Sequence, residues 1–201
     1  MRVLKPKSEE EVREALLEAK EVLDSGGVVV IPTETVYGVA AKLEFAEKIY
    51  EVKKRPTNKP LPVQTAPDAY EEVGVFDEVA KALAKAFWPG PLTIVVKARD
   101  NVPEVVTAGT GKVGVRVPDH PFALKLLELT GPLAVSSANV SGGKSPTRVE
   151  EVTVKADLVV DMGPTAGLPS TVVEVSGKKI KVLRRGPVSE EEILSVVRNL
   201  L

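Results

Sequence analysis

Apolar positions recur along this chain in two patterns, a helical spacing and short continuous runs. The helical spacing first appears after Ser8, which has the spacing of a capping box with Glu11, and it stops at Gly26 and Gly27. The same spacing predicts four more helices, over residues 45–53, 77–87, 119–129 and 189–201. The chain is therefore predicted to contain several helices.

Short apolar runs between these helices predict buried strands. They cover residues 28–31, 61–64, 92–97, 113–117, 133–135, 158–161, 171–175 and 180–183. The last two are joined by a turn at Ser176 and Gly177, which predicts one late hairpin. Because helices and strands are intermixed throughout, the pattern favours an α/β domain around a mixed sheet over an all-parallel wound sheet.

Three helix starts are predicted from capping residues. Asp119 is expected to cap the helix over 119–129, Thr147 with Glu150 to form a second capping box, and Ser189 to pair with Glu192. His120 is the only histidine, and no G-x-S-x-G motif accompanies it, so a capping role is favoured over a hydrolase triad.

Composition narrows the class of protein. The chain has 201 residues, of which 43% are hydrophobic and 27% charged, as expected for one folded domain. It has no cysteine, which excludes disulfides, a thiolate nucleophile and a cysteine-ligated metal centre. The net charge of −1 excludes a generally basic nucleic-acid coat but not a local basic patch. No apolar run approaches the roughly 20 residues of a membrane span, so a cytosolic location is expected.

Four segments place small polar or cationic residues at the ends of predicted strands, where ligands bind in α/β sheets. The first, PTETVYG at 32–38, is interpreted as a ligand loop or as a turn with helix caps. The second, at 53–61, holds four cations within seven residues on a loop stiffened by two prolines, which suits a polyphosphate but is also compatible with a solvated face. The third, at 136–147, is an anion-binding nest or a flexible Gly/Ser loop. The fourth comprises Lys112, Arg116, Arg184 and Arg185.

Arg116 alternates with Val115 and Val117 and so projects from the opposite face of its strand, with either a structural or a ligand role. A literal G-x-G-x-x-G match at 109–114 is rejected as a dinucleotide site, because a strand follows it where a helix is required.

Seven stretches, taken in order, resemble the YrdC-like family of L-threonylcarbamoyladenylate synthases from about Ser25 to Pro187. They are GGVVVIPTETVYGV, KKRPTNKPLPV, FWPGPLTIVVKA, VGVRVPDHP, GPLAVSSANVSG, GPTAGLPSTVVEV and VLRRGPV. The resemblance implies a single YrdC-like domain over 1–201, with a twisted mixed sheet, a concave basic face, flanking helices and a terminal helix at 188–201. The additional C-terminal domain of longer members would be missing.

The resemblance implies condensation of L-threonine, bicarbonate or CO2 and ATP into threonylcarbamoyl-AMP and pyrophosphate. Mg2+ is expected to arrive with ATP, and a separate tRNA threonylcarbamoyl transferase to consume the product. Two other interpretations stay open: a tRNA or double-stranded RNA-binding module using the same basic surface, with direct tRNA contact, and a carbamoyl-transfer domain.

By motif, the resemblance implies two sets of binding residues and no acid–base catalyst. Threonine would be bound by Thr33, Thr35, Gln64, Arg116 and Ser137. ATP would be bound by Lys53, Arg55, Lys59, Lys112, Asn139, Thr147 and Arg184. The chain departs from the family pattern at Lys54, Lys59 and Gln64, which bears on the geometry of the threonine pocket.

Overall fold

A computed structural model describes residues 1–201 and contains one sheet of eleven strands. The strands are β1 (Arg2–Leu4), β2 (Val29–Ile31), β3 (Gly38–Lys42), β4 (Val63–Gln64), β5 (Gly74–Val75), β6 (Leu92–Ala98), β7 (Lys112–Arg116), β8 (Leu133–Ser137), β9 (Leu158–Val160), β10 (Thr171–Ser176) and β11 (Lys179–Arg184). Their order is β1-β9-β2-β3-β8-β4-β7-β6-β10-β11, with β5 paired to β6. Parallel and antiparallel pairs both occur, which confirms the predicted α/β class with a twisted mixed sheet.

Six α-helices flank this sheet. They are α1 (Glu9–Asp24), α2 (Glu47–Lys53), α3 (Glu78–Phe87), α4 (Glu104–Thr107), α5 (Pro121–Thr130) and α6 (Glu190–Val197). None of them combines the length and the apolarity that a membrane crossing would require.

Two hydrophobic cores lie on opposite faces of the sheet. Alternation along β3 shows this directly, because Val39 and Ala41 belong to the larger core and Ala40 to the smaller one. The larger core includes buried residues of α2, α3 and α6, and the smaller core those of α1 and α5. On the smaller core's face α1 packs against β2, β3, β9 and α5, whereas a cavity lies over β4, β7, β6 and β10 and leaves that part of the face open. This open face is the floor of the cavity described below.

The predicted helix starts are partly correct. Ser189 and Glu192 form the complete reciprocal capping box at the start of α6. Ser8 caps α1 by accepting a hydrogen bond from the Glu11 amide. The Glu11 carboxylate accepts from the Lys7 amide and not from the Ser8 amide, so the second hydrogen bond of the capping box involves the preceding residue.

Two capping predictions are wrong. The cap of α5 is His120, whose Nδ1 accepts the Phe122 amide, whereas Asp119 lies outside the helix and gives its own amide to Glu34. No α-helix follows Thr147, only a 3-10 turn over Val149–Glu151. The Thr147 amide and hydroxyl both donate to Glu151 at 2.9 Å, so the partner is one residue beyond the expected Glu150.

Candidate active site on the open face of the sheet

A cavity of about 570 Å³ lies over the open face. Its floor is built by alternate residues of three strands: Thr93 and Val95 of β6, Lys112, Gly114 and Arg116 of β7, and Val172 and Glu174 of β10. The intervening residues, such as Val113 and Val115, enter the larger core. A Cβ on Gly114 would lie 3.1 Å from Thr93 Cγ2, so glycine keeps the floor flat at this point.

The charges that line the cavity are mostly positive. Four cations, Arg55, Lys112, Arg116 and Arg184, are accompanied by one carboxylate, Glu174, which pairs with Lys112 at 3.3 Å. A partly enclosed site with this balance attracts anionic ligands, because charges are screened less there than in bulk water.

Arg116 is the most enclosed of these cations, with 5% of its side chain exposed. Its Nη1 donates to Glu34 Oε1 at 2.7 Å and to the Gly90 carbonyl at 3.2 Å, and its Nη2 donates to Thr35 Oγ1 at 3.3 Å. Its projection away from Val115, expected from the alternation, is confirmed. Glu34 is a partner that the sequence analysis did not identify, and it lies 82 positions away along the chain.

The segment after β2 contributes both a turn and a wall of the cavity. Thr33 Oγ1 donates to the Val36 carbonyl at 2.7 Å and lies 2.9 Å from Thr35 Oγ1, so the two hydroxyls connect the turn to Arg116. Tyr37 faces away from the cavity, where its hydroxyl donates to the Gly163 carbonyl at 2.6 Å. Burial raises the pKa of Tyr37 to about 12, so it stays protonated.

Gln64 lies beside Arg116, since the two residues are in register across the β4–β7 pair. It is 5% exposed, lines the cavity, and its Oε1 has no hydrogen-bond partner. A buried acceptor without a donor costs roughly 1–3 kcal/mol, so this atom favours a ligand that carries an N–H or O–H.

Lys53 lies behind the cavity wall. It is 2% exposed, and its Nζ donates to the carbonyls of Ser137 at 2.5 Å and Asn139 at 2.8 Å. Burial, with a smaller contribution from Arg55, lowers the pKa of Lys53 to about 8. The ammonium therefore supports the strand end that carries Ser137, a residue that does line the cavity.

Arg55 faces the cavity from the loop before β4. Its guanidinium also donates to the Pro60 carbonyl at 2.7 Å, which holds this proline-bounded loop in shape. Burial lowers the pKa of Arg55 without removing its charge at neutral pH.

The structure brings together all five residues predicted to bind threonine: Thr33, Thr35, Gln64, Arg116 and Ser137. Of the residues predicted to bind ATP, it places Arg55, Lys112 and Arg184 on the lining, and Lys53, Lys59, Asn139 and Thr147 outside it. The last two have internal roles, because the Asn139 amide donates to the Gly143 carbonyl at 3.0 Å and Thr147 binds Glu151. Lys59 is exposed at the surface.

Three hydroxyl residues of the lining were not identified from the sequence, namely Thr93, Thr110 and Ser170, whereas Ser136 and Ser145 lie in the predicted segment at 136–147. Ser170 Oγ lies 2.8 Å from Thr93 Oγ1 and accepts from Arg184 Nη2 at 3.1 Å. Alternation along 92–97 could have found Thr93, because it faces away from the buried Leu92 and Ile94. The alternation along a strand could not identify Ser170, because this residue lies in a loop.

The fold and the site together define an α/β protein with a mostly cationic cavity on an open sheet face. Residues 21–186 match the family model Sua5_yciO_yrdC, described as "Telomere recombination". The chain belongs to this family, as its seven motifs predicted.

Two relatives show how similar the chain is to curated proteins. It is 41% identical over 194 residues to the threonylcarbamoyl-AMP synthase of Bacillus subtilis, covering 90% of this chain and 56% of that protein. It is 34% identical over 195 residues to the putative threonylcarbamoyl-AMP synthase of Methanocaldococcus jannaschii, covering 92% of each. The chain thus spans about half the length of the first relative and most of the second.

Solved structures agree with the fold. Sua5 of Pyrococcus abyssi complexed with L-threonine superposes with a TM-score of 0.86 at 36% identity, covering 98% of this chain and 60% of that one. YciO of Escherichia coli superposes with a TM-score of 0.82 at 24% identity over 96% of this chain and 98% of that one, which shows the shared fold.

Proposed function

We propose that this chain is an L-threonylcarbamoyladenylate synthase, which condenses L-threonine, bicarbonate or CO2 and ATP into threonylcarbamoyl-AMP and pyrophosphate. One observation carries the proposal: Arg116 and the unpartnered Gln64 Oε1 lie side by side in a cavity whose charges are mostly positive and whose lining includes several hydroxyls. A cation beside a free acceptor suits a small amino acid, which presents a carboxylate together with N–H and O–H groups. The relatives named as threonylcarbamoyl-AMP synthases support the same assignment.

The reaction needs charge neutralisation more than proton transfer. The threonine amine adds to CO2 and loses a proton to give a carbamate. A carbamate oxygen then attacks the α-phosphorus of ATP, a new P–O bond forms, and the bond to pyrophosphate breaks. The carbamate, the threonine carboxylate and the triphosphate are all anionic, so holding them together against their mutual repulsion is the main contribution of the protein.

The cavity extends along β7, whose Lys112, Gly114 and Arg116 all line it. At about 3.3 Å per residue, Lys112 lies roughly 13 Å from Arg116 along the strand, so the two cations can bind different parts of the substrates. In this proposal Arg116, Thr35, Gln64 and Ser137 hold threonine, and Arg55, Lys112 and Arg184 hold ATP. Lys59, Asn139 and Thr147 would touch ATP only if their loops moved inward.

Mg2+ is proposed as the companion of ATP. The lining offers one carboxylate, already paired with Lys112, and no cluster of three or more acidic or histidine side chains. Such a donor set fits an ion held mainly by phosphate oxygens and water, which is how Mg2+ commonly binds with nucleotides. When bound, Mg2+ would neutralise phosphate charge.

The first experiment measures product formation. The protein is incubated with ATP, MgCl2, bicarbonate and each amino acid in turn, and pyrophosphate release and the mass of the adenylate are recorded. We expect release that depends on threonine, together with threonylcarbamoyl-AMP. Arg55→Ala is expected to lower the rate roughly 100-fold with an unchanged circular dichroism spectrum, the loss typical of one missing electrostatic donor. Arg13→Ala, at an exposed position on α1, is the matched control and is expected to keep full activity.

A second candidate function is RNA binding. The open face is cationic, and the edge strand β11 carries Lys179, Lys181 and Arg184. The affinity for RNA bound there would fall steeply with salt concentration, because binding releases counterions, and it would not depend on threonine. Salt-sensitive RNA binding without ATP binding or pyrophosphate release would replace the synthase assignment. In the synthase assignment, the product passes to a tRNA threonylcarbamoyl transferase.

A further inference from the structure

Glu34 is a carboxylate, and it lies beside a cavity whose charges are mostly positive. Thr33 and Thr35, its neighbours in the chain, line the cavity, but Glu34 does not. Its Oε1 accepts from Arg116 Nη1 at 2.7 Å and its Oε2 accepts the Asp119 amide at 2.9 Å. The carboxylate therefore lies behind Arg116 and bridges the loops that follow β2 and β7.

The guanidinium of Arg116 makes three hydrogen bonds within the protein. A guanidinium has five N–H groups. Both groups on Nη1 are used, by Glu34 and by the Gly90 carbonyl, and one on Nη2 is directed to Thr35 Oγ1. Nε and the second N–H of Nη2 have no partner within the protein, and two N–H groups are what a bidentate carboxylate pair requires.

We propose that Glu34 is a positioning residue: it fixes the guanidinium of Arg116 so that these two N–H groups face the cavity and receive the carboxylate of the amino-acid substrate. The identity of that substrate rests on the proposed function. A bound carboxylate would be repelled by Glu34 but attracted by the nearer guanidinium, and the fixed geometry favours the bidentate pair.

The backbone of this loop is held independently of the Glu34 side chain. The Glu34 carbonyl accepts from the Ala166 amide at 3.3 Å, and the Thr35 carbonyl accepts from the Gly167 amide at 2.8 Å. Loss of the carboxylate should therefore release Arg116 while the loop stays in place. This separates the orientation of Arg116 from the integrity of the fold.

The experiment compares Glu34→Ala, Glu34→Gln and the wild type. Glu34→Ala is expected to raise KM for L-threonine about 10-fold, the loss typical of a charge-assisted hydrogen bond. Its KM for ATP is expected to stay within about twofold of the wild-type value, because Arg116 is placed at the amino-acid end of the cavity. Glu34→Gln keeps one acceptor oxygen and is expected to recover part of the loss. Glu44→Ala, at an exposed position, is the control and should leave both KM values unchanged.

Calorimetric titration with L-threonine keeps the inference separate from the synthase assignment. If the wild type forms no adenylate but binds threonine, and Glu34→Ala binds it about 10-fold more weakly, the positioning role stands and the proposed reaction fails. Equal increases in both KM values with a lowered Tm would show a purely structural role. An unchanged threonine affinity in Glu34→Ala, or no threonine binding by the wild type, would overturn the inference.

Discussion

At the scale of single residues, Lys53 shows how neighbouring cations acquire different roles. Lys53 and Arg55 are two positions apart in one basic run, yet Arg55 lines the cavity and Lys53 is buried behind it. Lys54, between them, ends α2 in the left-handed conformation with φ 51°, which turns the chain. Basic composition predicted an anion site here, but the direction of each side chain depends on this turn.

The lowered pKa of Lys53 predicts a pH-dependent stability. Its ordinary pKa of 10.5 falls to about 8 on folding, mainly through burial. Between these values the unfolded state binds more protons, so this residue makes the protein more stable as pH rises from 8 to 10.5, with no such change below 8. Urea unfolding at pH 7, 8, 9 and 10 should show the wild type gaining stability relative to Lys53→Met. A constant difference between the wild type and Lys53→Met would contradict the prediction. The exposed Lys59→Met keeps Lys53, so its difference from the wild type is expected to stay constant with pH.

The free acceptor of Gln64 predicts discrimination between threonine and valine, which differ by a hydroxyl in place of a methyl group. A site that hydrogen-bonds a substrate hydroxyl strongly rejects the analogue that lacks it. Gln64→Leu is expected to lower kcat/KM for threonine at least about 10-fold and to leave the valine value nearly unchanged, so selectivity falls. Steady-state kinetics with both amino acids test this. Equal losses for both would show that Gln64 does not contact the hydroxyl.

At the scale of elements, the local sequence pattern predicted most helices and buried strands. β3 was not predicted, because it depends on pairing with neighbouring strands. The run at 28–31 predicted β2, and the spacing after Asp77 predicted α3. β3 pairs antiparallel with β2 on one side and β8 on the other. Its sequence, GVAAK, carries little strand signal of its own. β1, β5 and α4 were also missed, since each is only two to four residues long.

The loop between α3 and β6 links an element boundary to the site. A Cβ on Gly90 would lie 2.2 Å from the Phe87 carbonyl oxygen, and the Gly90 carbonyl accepts from Arg116. Gly90→Ala must displace this loop, so we expect both a lower Tm and a higher KM for threonine. Ser189→Ala, which removes the cap of α6 at a cost of about 1 kcal/mol, is the control for destabilisation alone. If both variants lower Tm equally and leave KM unchanged, Gly90 has no part in the site.

At the scale of the whole molecule, the site is a product of strand order. The PTET turn, the basic loop, β7 and the end of β8 are distant in sequence, and they meet because β3, β8, β4 and β7 are neighbours in the sheet. α1 and α5 cover one part of this sheet face and leave the other part open. An open face with the buried Arg116 at its floor and three more cations on its lining gives the molecule a locally positive cavity although its net charge is only −1.

The sequence by itself determined the periodic elements, the α/β class, the strand-end positions of the polar segments and the family, because all of these depend on local spacing and local motifs. Only the tertiary structure decided which side chains of those segments share the cavity. It buried the Lys53 side chain behind the cavity wall and placed the Arg55 side chain on the cavity lining. It also joined Glu34 to Arg116 across 82 positions. The physical reason is that the direction and partners of a side chain are fixed by packing and hydrogen bonds between distant segments, which no local pattern contains.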